Sequence, residues 1–254
     1  MKRVWCVVLV AATAGSAAMM LDTVDYRFSA KGLTGVGFRS SDVSVTAVVR
    51  ADTGQDVLFR CFKTRVAGDT TGFRTGDLEV SVLDADSQLA LISASCSRGD
   101  SCPRCSLDIL LPRAVGFYAD LSCGSKNRVM VDGLGAMAFV HLYTGDVRVL
   151  NHRGPADVCG RSVVCVVDDQ KPTDTLLLKA EGTLTLYYPD SIRAEVHVLP
   201  CSSPAVEGLK TSFGMSTCIT DYILNPDAPG PNRYVNLASN GIVRARSAYS
   251  EDEK

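Results

Sequence analysis

The stretch Thr144-Gly145-Asp146-Val147-Arg148-Val149-Leu150-Asn151 joins a small polar turn to an alternating strand. Gly and Asp tolerate the backbone angles of a tight turn. Val147 and Val149, two residues apart, put one apolar face inward and leave Arg148 on the other. Working outward, the same design stands upstream in Asn127-Arg-Val-Met-Val-Asp-Gly133 and in Ala138-Phe-Val-His-Leu-Tyr-Thr144. It returns downstream in Glu181-Gly-Thr-Leu-Thr-Leu-Tyr187 and in Asn240-Gly-Ile-Val-Arg-Ala245. The chain is one short β unit repeated with drift.

From Val115 onward, expected strand centres fall near Ala119, Met130, Val140, Arg148, Val164, Leu177, Leu184 and Val196. Turn signals every 8–12 residues suit a sandwich, a barrel or a coiled β array. Upstream, Ser44–Arg50, Asp56–Phe62, Asp77–Leu83 and Leu89–Ala94 alternate as strands, and Leu107–Pro112 is a strand ending at a proline that cannot donate to a ladder. Residues 201–233 break the pattern: Cys201-Ser-Ser-Pro opens an irregular stretch, and Asn225-Pro-Asp-Ala-Pro-Gly-Pro231 is a turn-rich loop. No stretch patterns as an amphipathic helix longer than two turns.

The expected architecture is therefore all-β: a single elongated β-solenoid or β-helix-like domain of stacked short strands. A β-sandwich is the alternative, because Asp132-Gly133 and Asn240-Gly241 are also hairpin signals. Parallel or antiparallel pairing of successive strands separates the two.

The N-terminus has the pattern of an export signal. Lys2 and Arg3 precede the apolar run Val4–Ala14, and Ser16-Ala17-Ala18 fits the small-residue cleavage rule, which places the cut after Ala18. An uncleaved anchor is the alternative, since Val4–Leu21 is barely long enough to cross a bilayer. The expected organisation is a signal peptide at 1–18, a leading segment at 19–43, the solenoid domain at 44–248 and an acidic tail at 249–254.

The 254 residues are 46% hydrophobic and 21% charged, enough for a sizeable core. The formal net charge of -2 becomes -4 without residues 1–18, with 24 basic against 28 acidic side chains. No dense Lys/Arg run exists, so nucleic acid is not an expected partner. Cys61, Cys96, Cys102, Cys105, Cys123, Cys159, Cys165, Cys201 and Cys218 would remain after cleavage. In an oxidising compartment most would pair, and an odd number leaves at least one over. Cys96, Cys102, Cys105 and Cys123 are expected to staple the loop around residues 95–106.

In their order along the chain, several motifs resemble the putative adhesin family of the DUF4097 type, found in bacterial envelopes. Leu107–Ala119 looks like its opening strand-Pro-strand unit, and Gly133-Leu-Gly135 with Thr144–Val149 resembles its repeated turn-and-strand rungs. Thr183–Val196 and Tyr234–Arg244 resemble its later strand pairs. The resemblance spans roughly residues 44–248. It implies an all-β solenoid-like fold and an adhesion-type role, with no reaction and no catalytic residues to carry over. The nine cysteines and residues 201–233 depart from the family pattern.

No catalytic, cofactor-binding or metal-ligating residue is put forward. Gly133-Leu-Gly-Ala-Met-Ala138 matches G-x-G-x-x-A, but the strand-like Phe139–Tyr143 follows where a dinucleotide site needs a helix. Cys102-Pro-Arg-Cys105 lacks a second such pair for zinc, with an irregular cluster completed by Cys96 as the alternative to structural disulfides. His141 and His197 should point outward from strands, and His152 should lie in a loop. Asp84 and Asp86, like Asp168 and Asp169, suit solvated turns better than a calcium site. Of Tyr187 and Tyr188, one should pack and the other face solvent. The expected role is that of an exported, non-catalytic interaction or scaffolding protein of the periplasm or cell surface. Its partner would be an envelope or extracellular protein or glycan, with a membrane contacted only through an uncleaved N-terminus. The alternatives are a carbohydrate-active enzyme, which needs two carboxylates facing one groove, and a β-sandwich ligand-binding module.

Overall fold

The computed structural model describes residues 19–41, 43–65, 78–84, 88–96, 104–121, 127–200, 205–216 and 219–246. They form nineteen strands, with no helix among the described residues. The strands are β1 (Met19–Ser29), β2 (Gly35–Ser41), β3 (Ser44–Asp52), β4 (Asp56–Arg65), β5 (Leu78–Asp84), β6 (Leu89–Cys96) and β7 (Arg104–Pro112). There follow β8 (Gly116–Leu121), β9 (Asn127–Asp132), β10 (Ala138–Leu142), β11 (Gly145–His152), β12 (Ala156–Val167) and β13 (Thr175–Tyr187). The last are β14 (Ala194–Pro200), β15 (Ala205–Glu207), β16 (Lys210–Ser216), β17 (Ile219–Leu224), β18 (Arg233–Ser239) and β19 (Ile242–Arg246).

The repeated unit is a rung of two strands, one on each of two faces. The first face stacks β6, β2, β8, β10, the start of β12, the start of β13, β18 and β14, all parallel. The second stacks β7, β3, β9, β11, the ends of β12 and β13, β19 and β15, again parallel. Parallel pairing of successive rungs makes this a solenoid rather than a sandwich: Asp132-Gly133 joins one rung to the next, and Asn240-Gly241 turns the corner within the β18–β19 rung, so neither closes a hairpin. Leu177 and Leu184, expected as centres of separate strands, lie on the single strand β13, which turns the corner without a break.

Period two decides what goes inside. On the second face Ala47, Val129, Val147, Val163, Leu184 and Val243 align in register, and all are buried. The next inward row is Val49, Val131, Val149, Cys165, Leu186 and Ala245. Rows from both faces merge into one core. Arg148, between Val147 and Val149, is exposed. Each such valine stabilises by about 1.5 kcal/mol or more on burial, but only because its neighbouring rungs supply the walls.

The rungs are not stacked in chain order. The β2–β3 rung lies between β6–β7 and β8–β9, and the β18–β19 rung lies between β13 and β14–β15. The leading segment 19–43 thus contributes a strand to the interior of the stack. Antiparallel strands close both ends: β5 on β6, β4 on β7 and β1 on β4 at one, β17 on β14 and β16 on β17 at the other. Residues 201–233, expected to be irregular, hold the parallel strand β15 and two of these antiparallel strands, β16 and β17. Their break in pattern marks reversed chain direction, which hydrophobic alternation does not encode. Such caps protect the unpaired edges that a bare solenoid would present.

The glycine of the Thr144–Asn151 stretch serves close approach. Gly145 is not among the residues with positive φ. A Cβ on it would stand 2.5 Å from the carbonyl oxygen of Asn127 in the rung beneath. Gly241 repeats the device, 2.4 Å from the carbonyl oxygen of Gly182. One glycine that does need a left-handed backbone is Gly133, at φ 74°, in the turn between β9 and β10. That turn leads into β10.

Candidate functional site: an outward ladder on the first face

Because alternate residues of every first-face strand point outward, register alone assembles an external row. Tyr118 of β8 aligns with Phe139 of β10, then with Asp157, Leu177, Asn236 and His197. A parallel row holds Asp120, His141, Cys159 and Lys179. Tyr234, beside Glu195 in register, flanks them. Six strands at about 4.8 Å spacing make the ladder roughly 24 Å long.

Its side chains are held by one another. The Phe139 and His141 rings stack with centroids 4.1 Å apart, and Tyr118 lies 6.3 Å from Phe139. Nε2 of His141 is 2.8 Å from Oδ1 of Asp157. At the other end Nδ1 of His197 is 2.7 Å from Oδ1 of Asp221, Nε2 faces Glu195 at 3.7 Å, and the ring is nearly parallel to Tyr234. Leu177 and Tyr234 remain 38% and 47% exposed, which is unusual for large apolar side chains in the middle of a sheet face. The result is a flat strip of rings and carboxylates, pre-ordered by histidine–aspartate pairs.

The strip holds the residue types of a nucleophilic triad, since Cys159 lies beside His141 and Asp157. Their chemistry points elsewhere. Burial raises the Cys159 thiol above its ordinary value, and Lys179 only partly opposes this. An activated cysteine needs a lowered pKa. Among the described residues no group of three or more His, Cys, Asp or Glu side chains is placed to hold a metal. A separate cavity of about 510 Å³ lies under the loop Asn225–Pro229. Its two carboxylates, Asp190 and Asp227, are both exposed, so neither sits in the apolar surroundings of a general acid.

His141 and His197 point outward as expected. His152 does not lie in a loop: it ends β11 and is 1% exposed, with Nε2 bonded to the Pro155 carbonyl. Tyr187 and Tyr188 are both buried, against the expectation that one faces solvent. Tyr187 packs with Leu150 and Val166 outside the second face, and Tyr188 passes the strand end into the core. Asp168 pairs with Arg153 in an exposed turn, and Asp169 caps the Gln170 amide. Asp86, Cys102 and Cys123, and the side chains of Asp84 and Cys96, lie outside what is described, as do the signal segment 1–18 and the tail. Cys105 does not belong to the stapled loop. It sits on β7 with its thiol in the core, 3.1 Å from that of Cys61.

Sequence reasoning singles out the Tyr187–Tyr188 pair and passes over Tyr118, Phe139, Leu177 and Tyr234. Alternation marks them as outward, but only the register makes them neighbours.

No protein-family model matches the chain, and no curated protein is significantly similar to it. Among solved structures, a putative cell adhesion protein from Clostridium sporogenes overlays with a TM-score of 0.51 at 11% identity, covering 89% of this chain and 99% of that one. Putative adhesins from Bacteroides fragilis and Parabacteroides merdae align over 89% and 88% of this chain at 7% and 8% identity, with TM-scores of 0.26 and 0.24. The Clostridium likeness shows a shared fold.

Proposed function

We propose that this chain is an exported, non-catalytic interaction protein of the cell envelope. It is adhesin-like and of the DUF4097 type, and it meets its partner through the outward ladder of the first face. One observation carries this: Leu177 and Tyr234 stand exposed on a rigid strip already ordered by the Phe139–His141 and His197–Tyr234 stacks. Exposed aromatics on a fixed scaffold lose little freedom on binding. A flat face of stacked rungs suits an extended partner, protein or glycan. The order of the motifs and the fold shared with the Clostridium protein support the family assignment, and the N-terminal pattern supports export to the periplasm or cell surface with Met19 as the mature start.

The test is adherence of the purified protein to isolated envelopes and to a glycan panel. Leu177→Asp combined with Tyr234→Ala should weaken binding tenfold or more, about 1.4 kcal/mol, with an unchanged circular dichroism spectrum. Undiminished adherence would remove the ladder from the function. Sequencing the N-terminus of protein recovered from its native envelope tests export, with an intact Met1 as the contrary result.

A further inference from the structure

Cys61 on β4 and Cys105 on β7 place their sulfurs 3.1 Å apart, and both side chains are wholly buried. They belong to different parts of the architecture. β7 is the outermost parallel strand of the second face, whereas β4 runs antiparallel to it as part of the cap. In the ladder Cys61 opposes Leu107 and Cys105 opposes Lys63, so the two cysteines are diagonal neighbours on the inward side. Diagonal positions are ordinarily about 7–8 Å apart, and here both side chains turn toward each other until the sulfurs are 3.1 Å apart. A disulfide brings its sulfurs to about 2.05 Å, so about 1 Å of approach separates the present contact from a bond.

We propose that Cys61 and Cys105 form a cross-strand disulfide that fastens the cap strand β4 to the outermost rung strand β7. The two thiols give up two protons and two electrons. The acceptor is a disulfide-bearing compound or oxidoreductase of an oxidising compartment. The thiolate of one cysteine attacks the acceptor disulfide, forming a mixed disulfide and releasing one acceptor thiol. The second cysteine then attacks the mixed disulfide at the protein sulfur, forming the Cys61–Cys105 bond and releasing the second acceptor thiol.

The folded protein resists the first step. The neighbouring Cys61 thiol and burial hold the Cys105 thiol far above its ordinary value, with Lys63 pulling weakly the other way. Exchange therefore belongs to the stage before β4 closes over β7. The bond then locks the cap where its loss would bare the β7 edge to other chains. Cys159 and Cys165 lie on β12 away from this pair, and β12 runs through the middle of both faces.

The full chain is refolded in buffer containing oxidised and reduced glutathione, blocked in denaturant with an alkylating reagent, and digested without reduction. A linked peptide pair carrying Cys61 and Cys105, two hydrogens lighter than the separate peptides and split by reductant, is the expected result. The Cys61→Ala/Cys105→Ala double variant should still fold, with a thermal midpoint several degrees below that of the oxidised parent. Recovery of both cysteines as alkylated thiols, or of either linked to a different cysteine, overturns the proposal.

Discussion

The phenol of Tyr188 donates a 2.6 Å hydrogen bond to Oε1 of Gln170 inside the core, where both residues are 1% exposed. Gln170 spends its amide on the carbonyls of Asp174 and Tyr234, and its own carbonyl accepts from Nε of Arg233. The Asp168–Asp174 turn is thereby tied to the backbone of the strand that carries Tyr234 into the outward ladder. Tyr188→Phe leaves Gln170 Oε1 buried without its donor, at a cost of about 1–3 kcal/mol. Adding Gln170→Leu should cost less than the sum of the two single changes, because one substitution then removes the partner the other orphans. Urea unfolding of the three variants checks both statements, and an additive result would mean the two groups do not act together.

His152 sets a pH dependence. Burial lowers its pKa below the usual 6.5, with hydrogen bonds to the Pro155 and Gly154 backbone acting the other way. Its Nδ1 is buried with no hydrogen-bond partner among the described residues. The folded state therefore holds a neutral imidazole, and the unfolded chain takes up a proton first as pH falls. Stability from this group is fully present above about pH 6.5, declines below it, and is lost once pH drops past the folded pKa. The slope cannot exceed about 1.4 kcal/mol per pH unit. Stability measured from pH 7.5 to 5.0 should show this decline, and His152→Gln should flatten it. A parent and variant with parallel profiles would assign the decline to other groups.

Glycine at the rung corner gives a graded series. A Cβ at position 145 would meet the Asn127 carbonyl at 2.5 Å, whereas one at position 182 would meet the Arg161 carbonyl at 3.3 Å. Both obstacles are backbone, and only the first is beyond accommodation. Gly145→Ala should cost roughly 1–3 kcal/mol, as overpacking does. Gly182→Ala should cost clearly less. Thermal melts of the pair decide, and equal losses would mean that corner spacing is not what these glycines serve.

Much of the fold was legible because inward alternation is a local property. The seven strands from β8 to β14 fall where Val, Leu and Ala alternate with polar residues, and Val147-Arg148-Val149 displays the pattern in miniature. Three things were not legible. The exchange of rung order at each end depends on long-range pairing, so nothing near Gly35–Ser41 says that it lies between β6 and β8. The reversed direction of β17 leaves no mark on its own residues. The ladder of Tyr118, Phe139, Leu177 and Tyr234 exists only once register aligns strands separated by long stretches of chain. The expectation that one of Tyr187 and Tyr188 faces solvent fails for the converse reason: Tyr187 points away from the core, but Leu150 and Val166 cover it.

The repeat itself is tested at its centre. Val147 is 1% exposed and aligned with Val129 below and Val163 above, while Arg148 projects from the same strand into solvent. Val147→Asp puts a carboxylate between two buried valines and removes the methyl groups that fill the row. The expected cost is several kcal/mol. Arg148→Ser changes an exposed side chain, and should cost within about 0.5 kcal/mol. Because a rung has no core of its own, the lesion at Val147 cannot stay local. Amide exchange should quicken across Val129–Val131 and Val163–Val167 in Val147→Asp, and remain at the parent rate there in Arg148→Ser. Urea midpoints of the two variants, read with exchange on those flanks, give the answer. Equal destabilisation by both, or exchange confined to β11, would show that neighbouring rungs do not support one another in the way the register requires.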